Sequence, residues 1–324
     1  MAWRIAFVLL AAVAGVAASA TTRAGTPAEA GPSAMLLPHT RSYYVATASH
    51  DAAAKLGCDN ADTQGRMTLF FGAPTETQGQ FGATLWGGSD RTARQAGELV
   101  QAFIRGYAWC RQSPGQQLIV GMGTSNSTID RRNDLWAAGH GVEWATVARD
   151  VNGWAATYYP GVAQVDGAWD VEPSWSTYPR AEAWMRGYDS VPGRRGVHAN
   201  FSADGCPRDS AGGGACNNGW NQHQLWRLAW QYDPALPMPQ IYATSGVNAR
   251  QWQKIDEYGA RAQNDGMTFV GAMSQRGACL QMGGCAKVDN GPLEARDFLL
   301  QYLNGSPLTQ QAALETTTDM HWHR

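Results

Sequence analysis

Three carboxylates stand close together in the run Asp166-Gly167-Ala168-Trp169-Asp170-Val171-Glu172-Pro173. Successive side chains of a strand point to opposite faces, so here Asp166, Ala168, Asp170 and Glu172 share one face, while Gly167, Trp169 and Val171 share the other. Like charges held so close raise at least one carboxyl pKa. One protonated and one ionised carboxyl is the pair that acid/base hydrolysis of a glycosidic bond requires. Glu172 is then the candidate general acid, and Asp170 the group that stabilises charge or positions water. A blander role is open to Glu172 as well: it caps the following helix, or pairs with an arginine such as Arg195 or Arg227. Asp166, deeper in the strand, either binds substrate or is structural, held by backbone amides or by an arginine inside the barrel.

The elements around this run alternate. Apolar stretches at 67–72, 117–123, 162–172, 196–201, 226–230, 239–243 and 267–273 read as buried strands, with an entry strand near 41–48. Helical spacing of apolar residues marks 92–111, with Ser89-Asp90 as its cap, then 136–158 with a break near Gly139 to Gly141, 178–188, 248–258 and 291–303. The segment from 73 to Gly88 reads as a loop. About seven or eight strands with helices between most of them point to an α/β fold, a (β/α)8 TIM-type barrel that is allowed to be irregular or incomplete, rather than a doubly wound sheet. No GxGxxG follows the first strand. Catalytic groups of such a barrel sit at the C-terminal ends of strands. Asn126, Trp175, Asp204, Trp230 and Tyr242 fall at or just beyond predicted strand ends, and are expected to bind substrate beside Asp166, Asp170 and Glu172.

Residues 1–20 carry Arg4, an apolar run and the small-residue ending Ala18-Ser19-Ala20, the pattern of a cleaved signal peptide. Residues 21–38 read as a flexible leader, 39–310 as one barrel domain, and 311–324 as a solvated C-terminal tail. The expected location is outside the cell, with no membrane contact after cleavage. A net charge of −2 offers no field for nucleic acid. Six cysteines in a secreted chain suggest disulfide-stapled loops, and local spacing favours Cys206 with Cys216 and Cys279 with Cys285, leaving Cys58 for Cys110. Without CxxC pairs or histidines at ligand spacing, no metal and no redox cofactor is expected. The 14 Trp and 11 Tyr supply flat faces for stacking on sugar rings.

The run Asp-Gly-Ala-Trp-Asp-Val-Glu resembles the Asp-Gly-x-x-Asp-x-Asp-x-Glu strand of chitinase-type (family 18) glycoside hydrolases, shortened by one Asp-x unit. Its Trp-Asp-Val-Glu is also similar to the Leu-Asp-Val-Glu strand of family-25 muramidases. Most of the mature chain further resembles a family of secreted actinobacterial proteins with an Asp-x-Glu-Pro-x-Trp core, a Ser-Ala-Asp-Gly-Cys-Pro loop and a Pro-Gln-Ile-Tyr strand, a resemblance that implies no activity. The hydrolase resemblance implies Glu172 as general acid with Asp170 as its helper, and a hydrogen bond from Tyr242 to a reacting substituent. The expectation is a secreted, monomeric O-glycoside hydrolase acting on a cell-wall or environmental polysaccharide. Its rival is a non-catalytic secreted barrel that binds glycan or a cell-surface partner.

Overall fold

A computed structural model describes residues 39–113 and 115–324; the readings for 1–20 and 21–38 lie outside the described residues. In chain order the elements begin with β1 (His39–Val45), α1 (His50–Asp59), β2 (Gly65–Phe70), β3 (Ala73–Thr77), β4 (Gln80–Thr84), β5 (Asp90–Thr92) and α2 (Ala93–Cys110). There follow β6 (Leu118–Ser125), α3 (Asp134–Tyr158), β7 (Ala163–Val171), α4 (Tyr178–Asp189), β8 (Val197–Phe201), α5 (Gln222–Trp226) and β9 (Ala235–Pro237). The last are α6 (Val247–Tyr258), β10 (Gly271–Ser274), α7 (Arg276–Gln281), α8 (Pro292–Leu303) and β11 (Thr316–His323).

Eight parallel strands form one sheet in the order β10-β11-β1-β2-β6-β7-β8-β9. Its two ends meet: Val270 N–H donates to Pro237 O, Met273 N–H to Pro239 O and Ile241 N–H to Met273 O, at 2.8–2.9 Å. The sheet is therefore a nearly closed barrel, with helices between the strands. Alternation divides each strand between two cores. On β7, Ala168 faces the lumen with Phe70, Met238, Met273 and Met320. Trp169 faces outward, stacked on Trp184 of α4 with ring centroids 4.1 Å apart. The two-face reading of the acidic strand thus holds.

Several local readings are corrected. The stretch 226–230 is not a strand: α5 runs on into a π-helical turn, Arg227–Gln231. Its alternating tryptophans also fit helical spacing, an ambiguity that a five-residue apolar run always carries. Residues 239–243 are extended but make only an isolated bridge, Gln240 to Met273; Pro237 and Pro239 have no N–H to extend a ladder. The segment read as a loop before Gly88 holds a small antiparallel sheet of β3, β4 and β5. Its two-residue hairpin turn, Gln78-Gly79, has positive φ at both positions, as a tight hairpin needs, but with glutamine where Asn or Asp would have signalled it. Asp90 lies in β5, and α2 is capped instead by Thr92, whose hydroxyl accepts from Gln95 N–H while the Gln95 side chain accepts from Thr92 N–H. Most consequentially, the supposed tail contains β11, which sits between β1 and β10 inside the barrel.

The three disulfides are Cys58–Cys110, Cys206–Cys216 and Cys279–Cys285. The first ties the C-terminal ends of α1 and α2. These helices touch backbone to backbone: a Cβ on Gly57 would stand 1.9 Å from Phe103 O, and one on Gly106 1.8 Å from Ala54 O. The pair α3 and α4 repeats the device through Gly141, 2.1 Å from Trp184 O, and Gly187, 2.0 Å from Ala138 O. α3 passes unbroken through both Gly141 and Gly139, the latter set against the Phe81 ring of β4. Gly187→Ala should force the pair apart and cost about 2 kcal/mol, read as a lowered urea midpoint; an unchanged midpoint would show that the two helices separate freely.

Candidate functional site

The N-terminal end of the barrel is plugged by charge. Asp166 points into the lumen, where it meets Arg66 at 3.0 Å, Arg195 at 3.2 Å and the fully buried His198 at 3.5 Å. The lumen has room for the His198 ring because β6 carries Gly121 beside it: a Cβ there would stand 2.6 Å from Nδ1. Burial pushes the Asp166 carboxyl up, but His198, Arg195 and Arg66 pull harder, and it stays below the usual carboxylate range. Asp166 is thus ion-paired inside the barrel with Arg66, Arg195 and His198, at the opposite end from the Glu172 hollow.

Two residues along the same strand face, Asp170 lies at the C-terminal end of β7 and is 3 % exposed. Its Oδ1 accepts a 2.6 Å hydrogen bond from the Gln240 amide, which also donates to Asn200 O. Glu172 follows just beyond the strand, half-buried. Asn126 fixes its main chain, accepting from Glu172 N–H at 3.0 Å and donating to Glu172 O at 2.9 Å and Ser176 Oγ at 2.7 Å. Every polar atom of the Asn126 amide is used in this clamp and the residue is fully buried, so its place here is to fix the Glu172 main chain. Asp204, on the loop after β8, accepts from Ser174 Oγ at 3.0 Å.

Glu172 opens into a hollow of about 380 Å³ lined also by Tyr44, Trp86, Trp175, Tyr242 and Trp322. Tyr44 is the hub of one aromatic wall, with its centroid 4.8 Å from both Trp86 and Trp322. The electrostatics follow from burial and crowding. Burial raises the Glu172 carboxyl, the Asp204 charge adds to the effect, and a hydrogen bond from Gln240 only partly offsets them, leaving it at about 7. Burial, then the neighbouring Glu172 charge, lifts Asp170 well above the ordinary carboxylate range. Burial likewise raises the phenols of Tyr44 and Tyr242, so both stay protonated.

Of the residues singled out in the sequence, Glu172, Trp175 and Tyr242 line the hollow, with Asp204 close enough to raise Glu172 and Asp170 close enough to feel the charge of Glu172. Trp230 does not belong: it lies on the π-helical turn before β9, and its indole N–H donates to Asp265 Oδ1 at 3.0 Å. Neither arginine weighed as a partner for Glu172 takes that role, since Arg195 meets Asp166 and Arg227 meets Glu182 at 3.1 Å. Sequence reasoning missed Tyr44, Trp86, Gln240 and Trp322. Gln240 stands two residues from Tyr242 in the extended segment 239–243, so period-two spacing would have found it.

The fold and site define a (β/α)8-type barrel whose strand ends present a crowded carboxyl pair beside an aromatic-walled hollow. Compared with protein-family models and with curated protein sequences, the chain matches none.

Proposed function

We propose that the protein is an exported glycoside hydrolase acting on a cell-wall or environmental polysaccharide. The observation that carries this reading is Glu172: a carboxyl lifted to about 7 at the end of a barrel strand, facing a hollow walled by Trp and Tyr rings. Held near neutrality, it is protonated often enough to deliver its proton to a leaving glycosidic oxygen at physiological pH. Asp170 behind it, held by Gln240 and out of reach of the attacking water, acts only through its charge on the developing oxocarbenium ion. Trp175, Trp86 and Trp322 offer faces on which sugar rings stack. The Asp-x-Glu resemblance to chitinase-type hydrolases and muramidases supports the assignment, and the three disulfides support a compartment outside the reducing cytoplasm, as does the signal-like start of the sequence.

The test measures reducing ends released from peptidoglycan, chitin and arabinan. Wild type should release them, with a rate that falls as pH rises through about 7, because Glu172 must be protonated to act as the acid. Glu172→Gln should lower the rate by about 10²–10⁴-fold. Equal, negligible release by both proteins on all three substrates would rule out hydrolysis of them. Asp170 is sealed from solvent and already hydrogen-bonded, which leaves one carboxyl facing the hollow, and that favours a second reading as a glycan-binding barrel. Glycan binding retained without turnover would select it.

A further inference from the structure

The two sides of the hollow differ in chemistry. Glu172 and Trp175 follow β7, which stands diametrically across the eight-stranded ring from β11. The opposite wall is made by Trp322 of β11 and, after β10, by Gln275, by Ala278 of α7, by the Cys279–Cys285 disulfide and by Met282. None of these side chains carries a charge. Arg324 stands over the Trp322 ring at 5.5 Å and reaches Met282 Sδ at 2.8 Å, but it does not line the hollow. Met282, just past α7, is 58 % exposed and Leu280, in the last turn of α7, 69 %, so apolar surface continues from the hollow to the outside. The loop turns through Gly283 and Gly284, both at positive φ, and the disulfide closes it behind that turn. Apart from the Gln275 amide, whose Nε2 is already given to Val288 O, and the Trp322 indole N–H, this wall offers a sugar no hydrogen-bonding side chain; an alkyl chain gains free energy with each methylene it buries there.

We infer that this wall receives an apolar group attached to the sugar, so that the substrate class is an amphiphilic glycoside: a carbohydrate carrying an alkyl or acyl chain. The inference rests on the glycoside reading for the polar end of the ligand, yet binding alone tests it. Wild-type protein is titrated with methyl, butyl and octyl β-D-glucopyranoside below the micellar concentration, following tryptophan fluorescence, to which Trp86, Trp175 and Trp322 contribute. Octyl glucoside should bind at least about ten-fold more tightly than methyl glucoside. Met282→Gln should reduce that preference by about three-fold or more, and Met282→Leu should keep it; an exposed position makes both variants foldable. Equal affinity along the series, or a preference undiminished in Met282→Gln, overturns the inference. A chain-length preference without any hydrolysis would sink the hydrolase and leave the apolar wall standing, whereas hydrolysis without the preference would do the reverse.

Discussion

Deletion of residues 316–324 is expected to yield a chain with no cooperative unfolding transition. β11 is hydrogen-bonded along both edges, to β1 and to β10, and Thr317, Thr318 and Met320 are fully buried. Without it, two strand edges lose their partners at once, and each backbone group left dry and unpaired costs about 1–3 kcal/mol. A handful of such groups consumes the roughly 5–15 kcal/mol by which a domain is stable. The aromatic wall would go too, since Trp322 is part of it. Near-UV circular dichroism during heating checks this; a sharp melt in the truncated protein would show that seven strands suffice.

The second large effect is expected at Asp166. Asp166→Asn leaves Arg66 and Arg195 facing each other at the closed end of the barrel without the carboxylate that both approach. Breaking a buried pair by removing one partner costs about 3–5 kcal/mol, and the lower figure applies because Arg195 is a third exposed. The pH dependence has a definite sign. A carboxyl held below its ordinary value of 3.8 contributes stability that is fully present above that value and is lost as pH falls through the lower, folded-state value. Urea unfolding should therefore separate wild type from Asp166→Asn at pH 7 and bring them together in strong acid. A difference that persists when the carboxyl is protonated would mean that shape, not charge, is what Asp166 supplies.

The barrel was legible because its buried strands are continuous apolar runs, as at 67–72 and 117–123, and because period-two alternation placed Asp170 and Glu172 on one face. Legibility failed where the signal is held by something other than pattern. Thr316 to His323 is largely polar, and its burial comes from hydrogen-bonded partners far away in sequence, among them the Ser42 and Thr318 hydroxyls at 2.8 Å. Trp230 and Asn126 fell near predicted strand ends, but position along a strand does not say whether a side chain is already satisfied by its neighbours. Asn126 spends its amide on the Glu172 main chain, and only coordinates reveal that. The aromatic wall joins Tyr44, Trp86 and Trp322 from three distant segments, which no local spacing connects.

The pairing of β1 with β11 has a kinetic side. Ser42 and Thr318 are 276 residues apart, so the first strand of the ring waits with one open edge while nearly the whole domain is synthesised. Contacts this remote in sequence slow folding, and an unpaired edge invites intermolecular association. During that interval the nascent polypeptide is an aggregation hazard that a holding chaperone would relieve.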